Sequence, residues 1–233
     1  CEFAFDNAHT RNQSTMTEQL ITPTFLFRFS VPCRSIAKPW DKEKGLTLTP
    51  KYGLPSFDSE LGDSRQFGDL RMAWSEAGLF FNLAVRGKKQ APWCRESRLD
   101  ESDGLTLWID TRDTHNVHRA SRFCHQFVFL PQGEGAKQMN PVAELLNIHR
   151  ARDNPKQPPR GALKVRSQKR VDGYLMQGFI PADCITGYDP NDHSKLGFYY
   201  LIADRELGWQ TLALGTEYPF QTDPSLWGTL ELI

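Results

Sequence analysis

The stretch DLRMAWSE (69–76), followed at once by GLFFNLAVRG (78–87), decides the fold. In the second piece Leu79, Phe81, Leu83 and Val85 fall on one side of an extended chain, and Phe80, Asn82, Ala84 and Arg86 on the other. A period of two marks a half-buried strand, because successive side chains of a strand point to opposite faces. Only Ala77-Gly78 stands at the turn, so the two pieces read as a hairpin of antiparallel strands.

The same reading extends along the chain. GLTLWID (104–110), RFCHQFVFL (122–130), ALKVRSQKR (162–170), GYLMQGFI (173–180), LGFYYLIAD (196–204) and WGTLELI (227–233) are strand candidates, and Asp172-Gly173 is a strong hairpin turn. FLFRFSV (25–31) is too short for a membrane span and also reads as a strand. In the last strand Leu230 and Leu232 alternate with Glu231, which predicts one buried and one wetter face. One helix is expected: Asn140 as N-cap, Pro141 at the first helical position and VAELLNIH (142–149) behind them. PADC (181–184) adds a single turn, and RDNPKQPPRG (152–161) reads as a loop. Many strands with one or two short helices predict an all-β, jelly-roll-like antiparallel β-sandwich. Residues 50–233 form that sandwich, 1–49 are an N-terminal segment holding part of a leader and the first strand or strands, and the whole is a single domain.

Charge excludes some partners. Lys plus Arg and Asp plus Glu are both 28, so there is no global field to draw nucleic acid or an anionic membrane. No apolar run approaches the roughly 20 residues of a membrane-spanning helix. The five cysteines, Cys1, Cys33, Cys94, Cys124 and Cys184, are scattered, with no CxxC pair. They read as reduced thiols and point to the cytoplasm. Two readings of the start stand open: Met16 as the natural first residue with 1–15 a leader, or Cys1 as the first residue of a processed lipoprotein.

The ordered motifs resemble the family 9-like carbohydrate-binding modules, β-sandwiches related to the DOMON sugar- and haem-binding domains. KYGLPSFD (51–58) resembles the family's opening and RMAWSEAGLFFNLAV (71–85) its hairpin. APW (91–93) with DGLTLWID (103–110) resembles a binding-loop Trp followed by an Asp-initiated strand. DGYLMQGFIP (172–181), KLGFYYLIAD (195–204) and DPSLWGTLELI (223–233) resemble the Gly-Tyr, Gly-Phe and closing strands. The resemblance implies a non-catalytic binding module. In sugar-binding members two tryptophans sandwich a terminal sugar while polar side chains bond its hydroxyls, since a pyranose offers an apolar C–H face and a polar edge. Trp93 matches the first tryptophan. The second place, just before the closing Asp-Pro, holds Gln221 with Phe220 and Tyr218 beside it. The strand position that often carries a carboxylate is Thr106, and Asp103 heads the same strand. The expected ligand contacts are therefore Trp93, Asp103, Thr106, Trp209, Phe220 and Gln221, with a carbohydrate as partner. An assembly module that kept the fold and binds a protein instead is the alternative.

Other clusters carry weaker signals. Arg112, Arg119 and Arg122 in TRDTHNVHRASRFCHQF (111–127) are candidates to grip an anion with guanidinium forks. His115 and His118 form HxxH with Cys124 behind, but zinc needs about four converging ligands, and no metal is expected there. ESRLDESD (96–103) is an oxygen-rich loop that suits structural calcium or plain solvation; no other cofactor is expected. A haem would need a ligand pair such as Met72 or Met176 with His125, and no spacing supports it. Residues 150–170 are strongly basic without interleaved aromatics, which argues against single-stranded nucleic acid. Trp74, Trp108 and Trp227 sit inside strand patterns and are expected in the core. GxSxG, HExxH, P-loop and GxGxxG patterns are absent, so no enzyme is expected.

Overall fold

The computed structural model describes residues 29–57, 66–215 and 217–233. The proposed leader, Cys1, residues 25–28 of the first strand candidate and Asp58 lie outside the described residues. Among the described residues eleven strands run β1 (Ser30–Ser35), β2 (Gly68–Ser75), β3 (Gly78–Arg86), β4 (Gly104–Asp110), β5 (Cys124–Glu134), β6 (Asn140–Leu146), β7 (Lys164–Arg170), β8 (Gly173–Pro181), β9 (Lys195–Asp204), β10 (Gly208–Thr211) and β11 (Gly228–Leu232). They form two facing layers. Sheet A is β6-β5-β4-β9-β11-β1, with β10 paired to β9, and sheet B is β1-β2-β3-β8-β7. The all-β sandwich is therefore as expected, with β11 held inside a sheet between β9 and β1.

Strand β1 departs from the expected antiparallel arrangement. Its residues 30–33 pair in parallel with β11 in sheet A, and Arg34 and Ser35 pair in parallel with β2 in sheet B. One strand thus stitches the two layers together.

The alternation in the opening hairpin holds. Leu79, Phe81, Leu83 and Val85 all enter the main core. Phe81 meets Phe129 of the facing sheet with ring centroids 4.6 Å apart. Its cross-strand partner is Gly178, where a Cβ would come within 2.0 Å of the Phe81 ring, so glycine there makes room for the aromatic. Pairing runs from Ser75↔Gly78, which makes Glu76-Ala77 the turn, one residue earlier than the sequence suggested.

The helix expected over 140–149 is instead strand β6, antiparallel to β5. Val142 and Leu145, three apart, suit one helix face, but in a strand they point to opposite faces. Leu145 enters the main core while Val142 packs with Cys94, Val128 and Leu130 on the outer side. A strand buried on both faces carries apolar residues at odd spacings, and that imitates a helix. Pro141 is tolerated because β6 pairs with β5 alone, leaving one edge without a ladder. Residues 182–184 form the single short turn expected there.

Candidate functional site

Register places two of the expected site residues, Trp209 and Thr106, on one face of sheet A. Trp209, Ala203 and Gly104 form one row across β10, β9 and β4, and Thr211, Leu201, Thr106 and Val128 form the next. These side chains face away from sheet B, since the alternate residues Leu105, Leu107 and Ile202 fill the main core. Trp209 is 43% exposed and Thr106 is half-buried. Trp93 is half-buried in the loop that joins β3 to β4, beside the head of β4.

The loop is held by a buried ion cluster. The Lys88 ammonium donates to Asp204 and, at 3.3 Å, to Asp103, with a Glu206 oxygen 3.8 Å away. The two Asp side chains and Lys88 are almost wholly buried. Burial pushes the Lys88 ammonium toward losing its proton, but the hydrogen bonds and charges of Asp204 and Asp103 outweigh it and leave its pKa raised. Each carboxylate also collects backbone donors. Asp103 accepts from Trp93 N–H at 3.0 Å and Arg205 N–H at 2.9 Å. Asp204 accepts from Glu206 and Leu207 N–H at 2.9 and 3.0 Å. Glu206 accepts from Lys89 and Gln90 N–H, which hold its carboxyl below the ordinary range. Loop 88–103 and the β9–β10 turn are thus one locked unit.

On this unit sits a cavity of about 440 Å³, lined by Lys88, Trp93, Arg95, Asp103, Arg205 and Glu206 among others. The Arg205 guanidinium lies 3.3 Å from the centre of the Trp93 ring, and that of Arg95 lies 5.6 Å from it. Trp93 therefore meets cations on its π-face, an arrangement favoured by the ring's negative quadrupole.

Two expected contacts are corrected. Phe220 is fully buried, with its ring 4.6 Å from that of Tyr199 and 5.5 Å from that of Trp108, so it is core and not a ligand platform. Its segment closes over the outer face of sheet A, anchored by Trp227 Nε1–H donating to the Phe220 carbonyl at 2.7 Å. Gln221, next in sequence, is exposed. Asp103 is inside the ion cluster, with both oxygens engaged, so it positions Trp93 rather than meeting ligand hydroxyls. Trp108 and Trp227 are core as expected; Trp74 is only half-buried, its indole N–H donating to the Ile233 carbonyl at 3.2 Å.

The other clusters do not converge. Arg112 and Arg122 both lie on the Phe123 ring, whereas Arg119 donates to the Arg150 carbonyl, so the three forks do not share one anion. His115 turns to Asp113 and Thr229, His118 to Asp223 and Ser225, and Cys124 is buried. Asp223 and Ser225 both meet His118 at Nδ1, which leaves no relay through the two ring nitrogens. In the 96–103 loop Glu101 pairs with Arg98 and Glu96 approaches Arg160, while Asp103 points inward. Met72, Met176 and His125 are core residues.

Sequence reading missed Lys88, Arg95, Arg205 and Glu206. The signal lay in the strand ends: Asp103 and Asp204 flank the paired residues Gly104 and Ala203, and two adjacent buried carboxylates require a cation. That adjacency needs the register, which local sequence does not reveal.

No protein-family model matches the chain, and no curated protein matches it in sequence. Solved structures do match. A carbohydrate binding module family 9 (CBM9) of Caldicellulosiruptor kristjanssonii, in complex with cellotriose, superposes with a TM-score of 0.58 at 9% identity, over 88% of this chain and 93% of that chain. The complex of a module of that family from the same organism with glucose gives 0.56 at 10% identity, over 88% and 96%. The chain has the β-sandwich fold of these modules, as its ordered motifs implied.

Proposed function

We propose that this chain is a non-catalytic binding module that takes a carbohydrate at the sheet A end built around Trp93. The observation that carries the reading is the half-buried indole of Trp93 at the wall of a concave, polar cavity, on a fold shared with modules solved with cellotriose and glucose. Trp93 supplies the stacking surface. Arg95, Arg205 and Glu206 supply donors and acceptors for hydroxyls. Thr106 and Trp209 extend the surface along the outer face, and Gln221 stands where a second aromatic is expected. Without an aromatic at Gln221 to face Trp93, the sugar is stacked on one side only, which makes binding weak. The cysteines support a cytoplasmic setting for this activity.

Calorimetry with glucose, cellotriose and xylotriose tests the reading. Binding in the millimolar range or tighter is expected, with Trp93→Ala weakening it by more than about 1 kcal/mol, the scale of a lost stacking contact. The far-ultraviolet circular dichroism of the variant should be unchanged.

One observation favours a second reading, an assembly module that binds protein. The Arg205 guanidinium already occupies the Trp93 ring, where a pyranose would stack. Arg205→Ala separates the two: sugar binding improves if the arginine merely shields the ring. If no saccharide binds either form at millimolar concentration, the assembly reading replaces the first.

A further inference from the structure

The outer face of sheet B carries a second, larger concavity. Its volume is about 710 Å³, and its walls come from β2, β3, β7, β8 and the segment 44–48. Five cations line it, Lys44, Arg71, Arg86, Arg166 and Arg170, against the single carboxylate of Asp69. A chain with as many acidic as basic residues has thus gathered positive charge in one groove. The basic run 150–170 supplies Arg166 and Arg170, but it does not by itself bring Lys44, Arg71 and Arg86 beside them. The register does: Arg71, Asn82, Gln177 and Arg166 stand in one row across four strands.

Arg71 is spent on Asp69 and on the Leu48 carbonyl. The side chains of Lys44, Arg86, Arg166 and Arg170 make no hydrogen bond or salt bridge among the described residues, Arg166 only adding its charge to the Lys44 and Glu43 N–H bonds that hold the Asp41 carboxyl low, and all four residues are exposed. Free guanidinium groups facing one concavity are a ready receptor for anionic groups. Between them the floor holds the half-buried Ala84 and Leu175, with the Gln168 amide free at the side.

The geometry points to an anionic oligosaccharide, a short uronate chain, as the occupant of this groove. Four of the five cations are arginines, whose planar fork matches a carboxylate through two parallel N–H···O bonds. Arg166 and Arg170 lie four residues apart on β7, about 13 Å at the rise of a strand, and the four-strand row spans about 14 Å at the usual strand spacing. Charges so separated suit carboxylates on non-adjacent sugars of one uronate chain. Among the described residues no aromatic ring lines the groove, so bases have nothing to stack on, which disfavours single-stranded nucleic acid. A concave surface with a small apolar floor and amide flanks suits sugar rings better than a flat lipid surface. This site lies on the opposite sheet from Trp93 and stands or falls separately from it.

The test titrates the chain with trigalacturonate, maltotriose, dextran sulfate and a thymidine oligonucleotide in about 50 mM salt, where electrostatic contacts are weakly screened. In the Trp93→Ala chain, where the sheet A site is silenced, the expected result is millimolar or tighter binding of trigalacturonate, none of maltotriose, and an affinity that falls as salt rises. In that chain Arg166→Gln with Arg170→Gln should weaken it at least tenfold at an unchanged melting temperature. Three results overturn the proposal: no binding of trigalacturonate, binding indifferent to the double substitution, or equal binding of the oligonucleotide or dextran sulfate at matched charge. Because exposed edge-strand arginines are being changed, a second variant, Arg86→Gln on the inner strand β3, repeats the measurement.

Discussion

The two outer faces of the sandwich are built in opposite ways. That of sheet A is roofed: residues 94–99 cover Val128, Leu130 and Val142, and the 212–227 segment covers Trp108 and Tyr199. Among the described residues that of sheet B is roofed at one end, where Leu46 and Leu48 pack on Ala73 and Phe80 and Trp40 stacks near Phe179. The remainder is an arginine-lined groove. The strands register this difference. β9 reads KLGFYYLIAD, without a charge from Leu196 to Ala203, because both of its faces are buried, whereas β7 reads KVRSQKR. Loops that roof a sheet cost it an open face but gain a rigid frame, and here that frame carries Trp93. An unroofed sheet offers area without rigidity of its own loops.

The largest effect is expected where the roof is bolted down. Lys88→Met leaves two buried carboxylates without their cation and should cost about 3–5 kcal/mol of unfolding free energy, read by urea denaturation. A cost under about 1 kcal/mol would mean that the roof is held by something else. Next comes Phe220→Ala, which empties the contact between Tyr199 and Trp108 and should cost about 3 kcal/mol. If that variant is as stable as the parent, the 212–227 segment is not part of the core.

A smaller effect belongs to acid. His125 of β5 is buried, its Nε2 accepting from Thr186 N–H at 2.9 Å and its Nδ1–H donating to the Ile109 carbonyl. Burial lowers its pKa from 6.5 to about 4. The unfolded chain therefore takes up a proton near pH 6.5 while the folded chain refuses it until about pH 4. Stability is full above the first value, falls as pH drops between the two, and levels off below the second. Between pH 7.5 and pH 5 the loss is about 2 kcal/mol, taken as the difference from His125→Gln, which cannot protonate. Parallel slopes for the two proteins would break the assignment.

What could be read from sequence divides along the same line. The β2–β3 and β7–β8 hairpins were legible because one face of each is wet, and alternation survives there. β6 was not, because its burial on both sides erased the alternation and left a helical spacing. Phe220 looked like a ligand platform since a loop aromatic and a roofing aromatic share the same local sequence. Trp93 and Trp209 were legible as loop-end and strand-end aromatics, but the Lys88 cluster and the groove of Arg86, Arg166 and Arg170 were not. Both arise from residues far apart in the chain that pairing brings side by side.

The stitching strand β1 has a consequence for how the chain is made. Ser30 finds its parallel partner at Thr229, and among the described residues strand pairing joins the layers through that strand. During synthesis β9 and β1 each wait with an unfilled edge until β11 leaves the ribosome. Closure over so long a contour is slow compared with hairpin formation. Until it happens, the two half-built layers present open ladders to other chains.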